Sequence, residues 1–300
     1  MSVTRRKSTF SIVAADLEAG EVGCAVQSRY FSVGSVVPWA RAGTGAVATQ
    51  AAGVAAFGPL TLEELDRGAS PEAALEHVLA GDPGRETRQL GIVTADGRAA
   101  AFTGANCLDW AGHRVGAGFA VQGNILAGAA VIDEMARAYE GTVGSLVERL
   151  VAALEAGQAA GGDKRGQQSA AVVVERVGAR SDSREGIDRI CDLRVEDHVE
   201  PIVELRRLVV IWTGWEAQRR ANAFYERGEH ASAAEVVRAA LARHEDPGML
   251  YNLACYESLA GRRDDALASL RRAIELDPSF RALARDDSDF DAVRAEISEL

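Results

Sequence analysis

The chain has 300 residues, of which 47% are hydrophobic and 26% are charged, a balance typical of globular proteins. Its formal net charge of −11 argues against a general binder of nucleic acids or anionic membranes, and no apolar run is long enough to span a bilayer. The four cysteines are widely separated and no secretory signal precedes them, so we expect reduced thiols and a cytoplasmic location.

The segment that begins at Thr9 predicts a strand close to the start of the sequence. Period-two alternation there places two sets of side chains on opposite faces, Thr9, Ser11 and Val13 against Phe10, Ile12 and Ala14. Residues 1–7, which include the basic run Arg5-Arg6-Lys7, are predicted to be a disordered extension. The segment 22–29 alternates after a turn and is predicted to pair with the first strand as a hairpin.

The elements that follow come in an order typical of an α+β fold. Strands are predicted at 32–37 and 46–51, with a loop at 38–43 between them. The later predictions are helices at 59–67 and 71–80, a hairpin around Asp96-Gly97, a glycine-rich stretch at 112–128, helices at 128–140 and 142–157, strands at 170–176 and 190–195, and a helix from 201 to about 208. We interpret residues 8–212 as one domain, with helices layered on the faces of sheets.

The composition changes after residues 212–215, and the rest of the sequence predicts only helices. Residues 216–247 and 248–278 resemble two copies of one unit, since Tyr225 and Gly228 correspond to Ser258 and Gly261, 33 residues later, and both copies end in Asp-Pro. A helix–turn–helix period of about 34 residues is the tetratricopeptide signature. A trailing helix is predicted at about 288–298. We therefore predict a small all-α tetratricopeptide-like domain at 216–300. Two interpretations of it stay open, a surface for a protein partner and a helical appendage without a peptide ligand.

Thr9 is the strongest candidate for a nucleophile. A hydroxyl and a free α-amine on one residue form a nucleophile with its own base, because an α-amine titrates near pH 8. Thr9 has that pair only if the chain is cut before it or starts later. The thiol of Cys107, six residues before His113, is a weaker candidate, since a buried and inert cysteine is the more common case.

Other polar candidates lie in glycine-rich settings, where the main chain can approach a ligand closely. Asn124 can donate its amide to a developing oxyanion, and Arg29 or Arg165 can bind a substrate carboxylate. The loop interpretation of 161–169, with Asp163 bonded to backbone amides, stays open, as does a structural role for His113. No standard metal-ligand spacing is present, so we predict no metal and no organic cofactor.

Seven motifs occur in order along the first part of the sequence, at residues 9–14, 37–43, 46–50, 101–104, 110–113, 122–124 and 161–171. Together they resemble an uncharacterised bacterial family, a domain of unknown function assigned to the N-terminal nucleophile (Ntn) hydrolase superfamily. The resemblance covers residues 8 to about 210. It implies a four-layer αββα sandwich, with two antiparallel sheets packed face to face and helices outside.

The resemblance also implies a role for Thr9. Chains of that family typically begin Met-Thr-Phe-Ser-Ile, so removal of the methionine exposes the threonine. Here the matching Thr9 follows eight further residues. Three explanations remain open: cleavage between Ser8 and Thr9, a later translation start, and a chain without activity.

Two functions of different classes follow from these observations. The first is an amidohydrolase that cleaves an amide-like C–N bond of a small or peptide substrate, and the arginines favour a substrate with a carboxylate. Its catalytic candidates are Thr9, Asn124, His113 and Asp163, and its substrate-binding candidates are Arg29, Ser28, Gln50 and Arg165. The alternative is a non-catalytic module that binds partners through the sandwich and the repeats. A homodimer is compatible with both.

Overall fold

The computed structural model describes residues 9–108, 110–179 and 187–297, so the predicted extension at residues 1–7 lies outside the described residues. The described residues form an α+β fold with strands and helices in mixed order. The chain divides into two compact units, Met1–Arg207 and Leu208–Leu300. Within the described part of the chain, no helix combines the length and the apolar character needed to cross a membrane.

The first unit contains all the strands of the described residues. They are β1 (Thr9–Asp16), β2 (Glu21–Ser28), β3 (Pro38–Arg41), β4 (Gly45–Ala51), β5 (Arg88–Thr94), β6 (Ala99–Thr103), β7 (Gly112–Gly116), β8 (Phe119–Asn124), β9 (Ser169–Arg176) and β10 (Arg189–Val195). Its helices are α1 (Phe57–Asp66), α2 (Pro71–Leu79), α3 (Ala130–Gly141) and α4 (Leu146–Ala159). The boundary between the units falls within α5 (Pro201–Tyr225).

The strands form two antiparallel sheets, one of six strands in the order β10-β9-β2-β1-β8-β7 and one of four in the order β3-β4-β5-β6. Alternation along β1 directs Val13 into the core between the sheets, where it joins Ala48 and Val93 of the other sheet. Phe10 points the other way and lies against Gly157 of α4. Helices α1 and α2 cover the outer face of the four-stranded sheet. The layers are therefore helices, sheet, sheet, helices, and the start of β1 faces the space between the sheets.

Two of the predicted strand boundaries were wrong. The predicted strand at 32–37 is a turn with a short 3₁₀ helix at Val33–Ser35, and the predicted loop at 38–43 contains β3. The valines at 33, 36 and 37 all pack against the core between the sheets, so their spacing belongs to a turn and not to an alternating strand. Pro38 can begin β3 because β3 is an edge strand.

The glycine-rich stretch at 112–128, for which the sequence predicted no element, contains the paired strands β7 and β8. Its glycines leave room for large neighbours: a Cβ on Gly116 would lie 2.2 Å from the Phe119 ring, and one on Gly123 would lie 2.5 Å from Leu126. The helix predicted to end near 208 continues to Tyr225 and includes Gly214, on which a Cβ would lie 3.0 Å from Met249 Sδ.

The second unit continues as helices. After α5 these are α6 (His230–Leu241), α7 (Pro247–Leu259), α8 (Arg263–Leu276), α9 (Phe280–Asp286) and α10 (Arg294–Ile297). The predicted trailing helix at 288–298 is a 3₁₀ helix at Ser288–Val293 followed by the short α10, and residue 298 lies outside the described residues. The cores of this unit are formed by α5–α7 and by α7–α10.

Candidate functional site

A row of polar side chains crosses the six-stranded sheet where β1 begins. Thr9 pairs with Ser28 of β2 on one side and with Asn124 of β8 on the other, and Ser28 pairs in turn with Ser169 of β9. All four residues are buried. The hydroxyl oxygens of Thr9 and Ser28 lie 3.0 Å apart. Because directly paired residues of antiparallel strands point to the same face, this row is directed at the four-stranded sheet.

A second polar row lies on that facing sheet. Gln50 of β4 pairs with Gln89 of β5, which pairs with Thr103 of β6. Gln50 Nε2 donates to Gln89 Oε1 at 2.9 Å and, over a longer distance of 3.4 Å, to Thr9 O. Asn124 Nδ2 donates to Gln89 Oε1 at 3.0 Å. The two sheets are therefore joined by hydrogen bonds at Thr9.

The orientation of the amides in this network follows from Gln89. Its Nε2 donates to two main-chain carbonyls of the six-stranded sheet, at 2.8 and 3.1 Å. Its Oε1 must then face the NH₂ groups of Gln50 and Asn124, since a carbonyl oxygen only accepts. Gln50 Oε1 in turn accepts from Ser11 Oγ at 2.6 Å. Asn124 consequently presents donors on the side of Thr9, with its Nδ2 3.4 Å from Thr9 O.

A cavity of about 80 Å³ opens beside Thr9. Its walls come from Thr9 itself, from the segment after β2 (Tyr30 to Val37) and from the end of β4 with the segment after it (Thr49 to Ala55). Among the described residues that line it, none is an acid, a lysine, an arginine or a histidine. These lining side chains therefore offer no base for the Thr9 hydroxyl.

Three of the predicted site residues form a separate cluster at the end of β2. The carboxylate of Asp163, whose side chain is fully buried, accepts from Arg29 N at 3.1 Å, from Arg165 N at 2.8 Å and from Arg165 Nη2 at 3.0 Å. Arg29 Nη1 donates to Arg165 O at 3.3 Å. Gln168 N donates to Ser28 O. This cluster fixes the loop at 161–168 to the main chain on both sides of the Ser28–Arg29 bond, so it positions Ser28.

His113 reaches the network through Thr103. Its Nδ1 lies 2.9 Å from Thr103 Oγ1, and Gln89 Nε2 donates to the same hydroxyl at 2.9 Å. Partial burial lowers the pKa of the His113 ring, which favours the neutral form.

Cys107 does not pair with His113. Its Sγ donates to Arg88 O at 3.2 Å, and burial raises the pKa of its thiol. A protonated thiol is a poor nucleophile, so the structure favours the inert role of Cys107.

One group of possible metal ligands is present among the described residues, in the second unit. A sulfur and two carboxylates, those of Cys255, Asp287 and Asp289, lie within 4.8 Å of one another. Both carboxylates already accept hydrogen bonds from phenols, Asp287 from Tyr251 at 2.7 Å and Asp289 from Tyr225 at 3.1 Å. These bonds explain the cluster as part of the packing of this unit.

The first unit matches a known protein family. The family model of the family of unknown function DUF1028 matches residues 9–205. The chain belongs to the DUF1028 family. The crystal structure of the DUF1028 protein SPO2555 from Silicibacter pomeroyi is similar, with 34% sequence identity and a TM-score of 0.61. The match covers 67% of this chain and 88% of that one. No curated protein matches the chain.

Backbone strain in this DUF1028 protein lies at the same site. Ser32, Ala51 and Ile125 are the described non-glycine residues with a left-handed backbone, at φ 55°, 67° and 53°. Ala51 follows Gln50 and lines the cavity, and Ile125 follows Asn124. Such a conformation costs roughly 1–2 kcal/mol for a residue with a Cβ. Strained residues are common at functional sites, where the surrounding structure holds them in place.

The structure thus joins four of the predicted residues, Thr9, Ser28, Gln50 and Asn124, and places Arg29, Asp163 and Arg165 in the adjoining cluster. Gln89, Ser11 and Gln122 were not among the predicted site residues, although all three are fully buried in the network. One signal was available. Gly91 follows Gln89 by two residues and lies opposite Gln122, whose side chain occupies the space that a Cβ on Gly91 would fill. A polar residue in an otherwise apolar strand, with a glycine two residues later, indicates that a polar side chain from the facing sheet enters the space beside the glycine.

Proposed function

We propose that the first unit of this DUF1028 protein is an Ntn-type amidohydrolase in which Thr9, once it is the N-terminal residue, is the nucleophile. The observation that carries the proposal is the buried Thr9 hydroxyl, which faces a cavity whose described lining has no titratable side chain other than that of Tyr30. A hydroxyl needs a base that takes its proton near neutral pH, and the described lining of the cavity has no acidic or histidine side chain that could serve as one. The α-amine of Thr9 itself supplies one when it is free.

The order of layers and the family match also support the proposal. Helices cover the outer faces of two antiparallel sheets that face each other, which is the arrangement expected of the Ntn superfamily. The match to the DUF1028 family begins at Thr9. Under this proposal the residues before Thr9 are removed, by cleavage of the Ser8–Thr9 bond or by a later translation start.

The chemistry is an acyl transfer in two steps. The α-amine takes the proton of Thr9 Oγ1 as that oxygen attacks the carbonyl carbon of the substrate. The C–N bond then breaks, the amine leaves with the proton, and an ester links the acyl group to Thr9 Oγ1. In the second step a water molecule, deprotonated by the same α-amine, hydrolyses the ester and releases a carboxylic acid, which restores the hydroxyl.

The neighbours of Thr9 take supporting roles in this proposal. Asn124 Nδ2 stabilises the oxyanion by exchanging its 3.4 Å bond to Thr9 O, the longer of its two described bonds, for a bond to the substrate oxygen. Ser28 Oγ, 3.0 Å from Thr9 Oγ1, orients the nucleophile. The Asp163 cluster positions Ser28, and His113 supports Gln89 through Thr103.

We infer in addition that the second unit is tetratricopeptide-like. Gly228 and Gly261, 33 residues apart, both adopt φ 75° after a helix. The same pair of hydrogen bonds closes each helix end, from Glu229 N to Phe224 O at 2.9 Å and from Arg262 N to Glu257 O at 2.8 Å, together with the bonds from the two glycines. A repeated cap at the repeat period supports two copies of one structural unit.

The first experiment is the intact mass of the purified full-length chain, with N-terminal sequencing, before and after long incubation. We expect a chain that begins at Thr9. In parallel, a variant with residues 2–8 deleted places Thr9 directly after Met1, so that removal of the methionine exposes Thr9 while every described element is kept.

Both forms are then treated with p-nitrophenyl acetate. We expect a burst of p-nitrophenol and an acetyl group on the peptide that contains Thr9. The Thr9→Ala variant controls for reaction at the α-amine alone, and Thr9→Ser should keep the burst. A deletion variant with free Thr9 that reacts no faster than Thr9→Ala would refute the nucleophile, and the binding module would then be the better interpretation.

A further inference from the structure

The cavity beside Thr9 limits the substrates that this site accepts. It measures about 80 Å³, which is room for roughly six water-sized groups. That volume holds a carbonyl group and a chain of about three to four further carbons, and it is well below the several hundred Å³ of sites for drug-sized ligands.

Five of the residues that line the cavity are aliphatic. They are Val33, Val36 and Val37 from the segment after β2 and Ala51 and Ala55 from the end of β4 and the segment after it. Both segments are held by hydrogen bonds, from Val33 N to Ser169 Oγ at 3.0 Å and from Thr49 Oγ1 to Val54 O at 3.1 Å. The cavity is therefore a formed pocket whose lining is partly aliphatic and partly polar, with polar side chains from Thr9, Tyr30, Thr49 and Gln50.

The part of the substrate that enters this pocket is the acyl side. In the ester intermediate of the proposed reaction, the acyl carbon is bonded to Thr9 Oγ1, so the next carbons occupy space that touches Thr9. The cavity is that space. The amine leaves during the first step and needs only a path to solvent.

The charge of an acyl group determines whether this pocket can bind it. Neither Arg29 nor Arg165 lines the cavity, and both are bonded within the Asp163 cluster. Among the described residues that line the cavity no side chain is cationic, and a carboxylate that paired with the free α-amine of Thr9 would keep that amine protonated and unable to act as the base. The expectation from sequence that the arginines select a carboxylate-bearing substrate therefore has no support in the geometry at Thr9.

We propose that the site hydrolyses amides of short, uncharged aliphatic acids, with an acyl chain of about four to five carbons in the pocket lined by Val33, Val36, Val37, Ala51 and Ala55. This inference rests on the proposed function, because it describes the acyl group that Thr9 carries. It also predicts that the pocket binds uncharged short amides in preference to charged ones, which can be measured without turnover.

The test compares N-acyl aminocoumarin amides with the processed protein. Butyryl and succinyl are matched, since both have four carbons and only succinyl ends in a carboxylate. We expect kcat/KM for butyryl to exceed that for succinyl by at least about 100-fold. From acetyl to butyryl, kcat/KM should rise by about fourfold for each methylene buried, and it should fall at octanoyl, which exceeds the cavity.

Two adjacent alanines provide matched variants. Ala55 lines the cavity and Ala56 is exposed at the start of α1. Ala55→Leu fills the pocket and should lower the butyryl-to-acetyl ratio of kcat/KM by about tenfold, whereas Ala56→Leu should leave that ratio unchanged. Equal effects of the two substitutions would overturn the assignment of the pocket.

A binding measurement keeps this inference separate from the proposed function. Saturation-transfer NMR on the Thr9→Ala form of the variant without residues 2–8 should detect butyramide and not succinamate, with the butyramide signal lost when Ala55→Leu is added. Turnover of succinyl amides at or above the butyryl rate would overturn the inference and leave the amidohydrolase standing. Absence of turnover for every amide would count against the amidohydrolase, and preferential binding of succinamate would overturn the inference in that case as well.

Discussion

Gln50→Glu tests the described hydrogen-bond network most directly, because it replaces one NH₂ group by an oxygen of nearly the same size. Gln50 Nε2 faces three acceptors: Gln89 Oε1 at 2.9 Å, Gln122 O at 3.3 Å and Thr9 O at 3.4 Å. A carboxylate there places an oxygen against three oxygens in a residue that is only 2% exposed. Gln89 cannot turn its amide to compensate, since its own Nε2 is held by two main-chain carbonyls.

The expected cost follows from two contributions. Loss of the 2.9 Å bond removes about 1 kcal/mol of stability. Burial among oxygens should raise the pKa of the introduced carboxyl by about 2 pH units, and ionising it in the folded state then costs about 2.7 kcal/mol once the pH exceeds that raised pKa. The free energy of unfolding of the first unit should therefore fall by about 3–4 kcal/mol at pH 7.5. Because the folded state binds the proton more tightly, this penalty appears as the pH rises through the ordinary glutamate pKa near 4.3 and is complete above the raised pKa. At pH 4.5 most of the loss should be recovered.

The measurement is urea unfolding at pH 4.5 and 7.5, read by hydrogen exchange and mass spectrometry on peptides from β1 and β4. Peptide resolution is needed because the two units can unfold separately. Gln50→Met is the control: it also loses the hydrogen bonds but carries no charge, so its loss of stability should not depend on pH. A Gln50→Glu protein as stable as the parent at pH 7.5 would refute the described orientation of the amides.

Two further predictions use the same assay. Burial lowers the pKa of His113, so the first unit should become less stable as the pH falls below about 6.5, because the unfolded chain takes up a proton that the folded ring resists. His113→Asn should flatten this dependence of stability on pH. An unchanged dependence in the variant would contradict the role of His113. Gly91→Ala places a Cβ 2.0 Å from Gln122 Oε1 and should destabilise the first unit by about 1–3 kcal/mol. Gly141→Ala is the control, because the space around Gly141 is open, and it should change stability by less than about 0.5 kcal/mol. Equal effects of the two alanines would contradict the packing of Gln122 on Gly91.

Local patterns determined the secondary structure where they were strong. The alternation at Thr9, the Asp96-Gly97 turn and the helix predicted at 71–80 all appear in the structure, the helix as Pro71–Leu79. The predictions failed where side chains from other elements decide the conformation. Val33, Val36 and Val37 look like part of a strand but pack from a turn, and the glycines of 112–123 form strands because large side chains fill the space beside them.

By itself, the sequence determined that β1 begins with Thr9 and that Thr9 lies on the same face of the strand as Ser11 and Val13, because side chains alternate along a strand with a period of two. It also predicts a repeat of 33 residues in the second unit. Only the tertiary structure decided which polar residues meet Thr9. Gln50 and Gln89 come from the facing sheet, and Ser28 and Asn124 come from strands whose register no local rule fixes. Contacts between distant segments depend on how the sheets pair and stack, and that depends on the whole core.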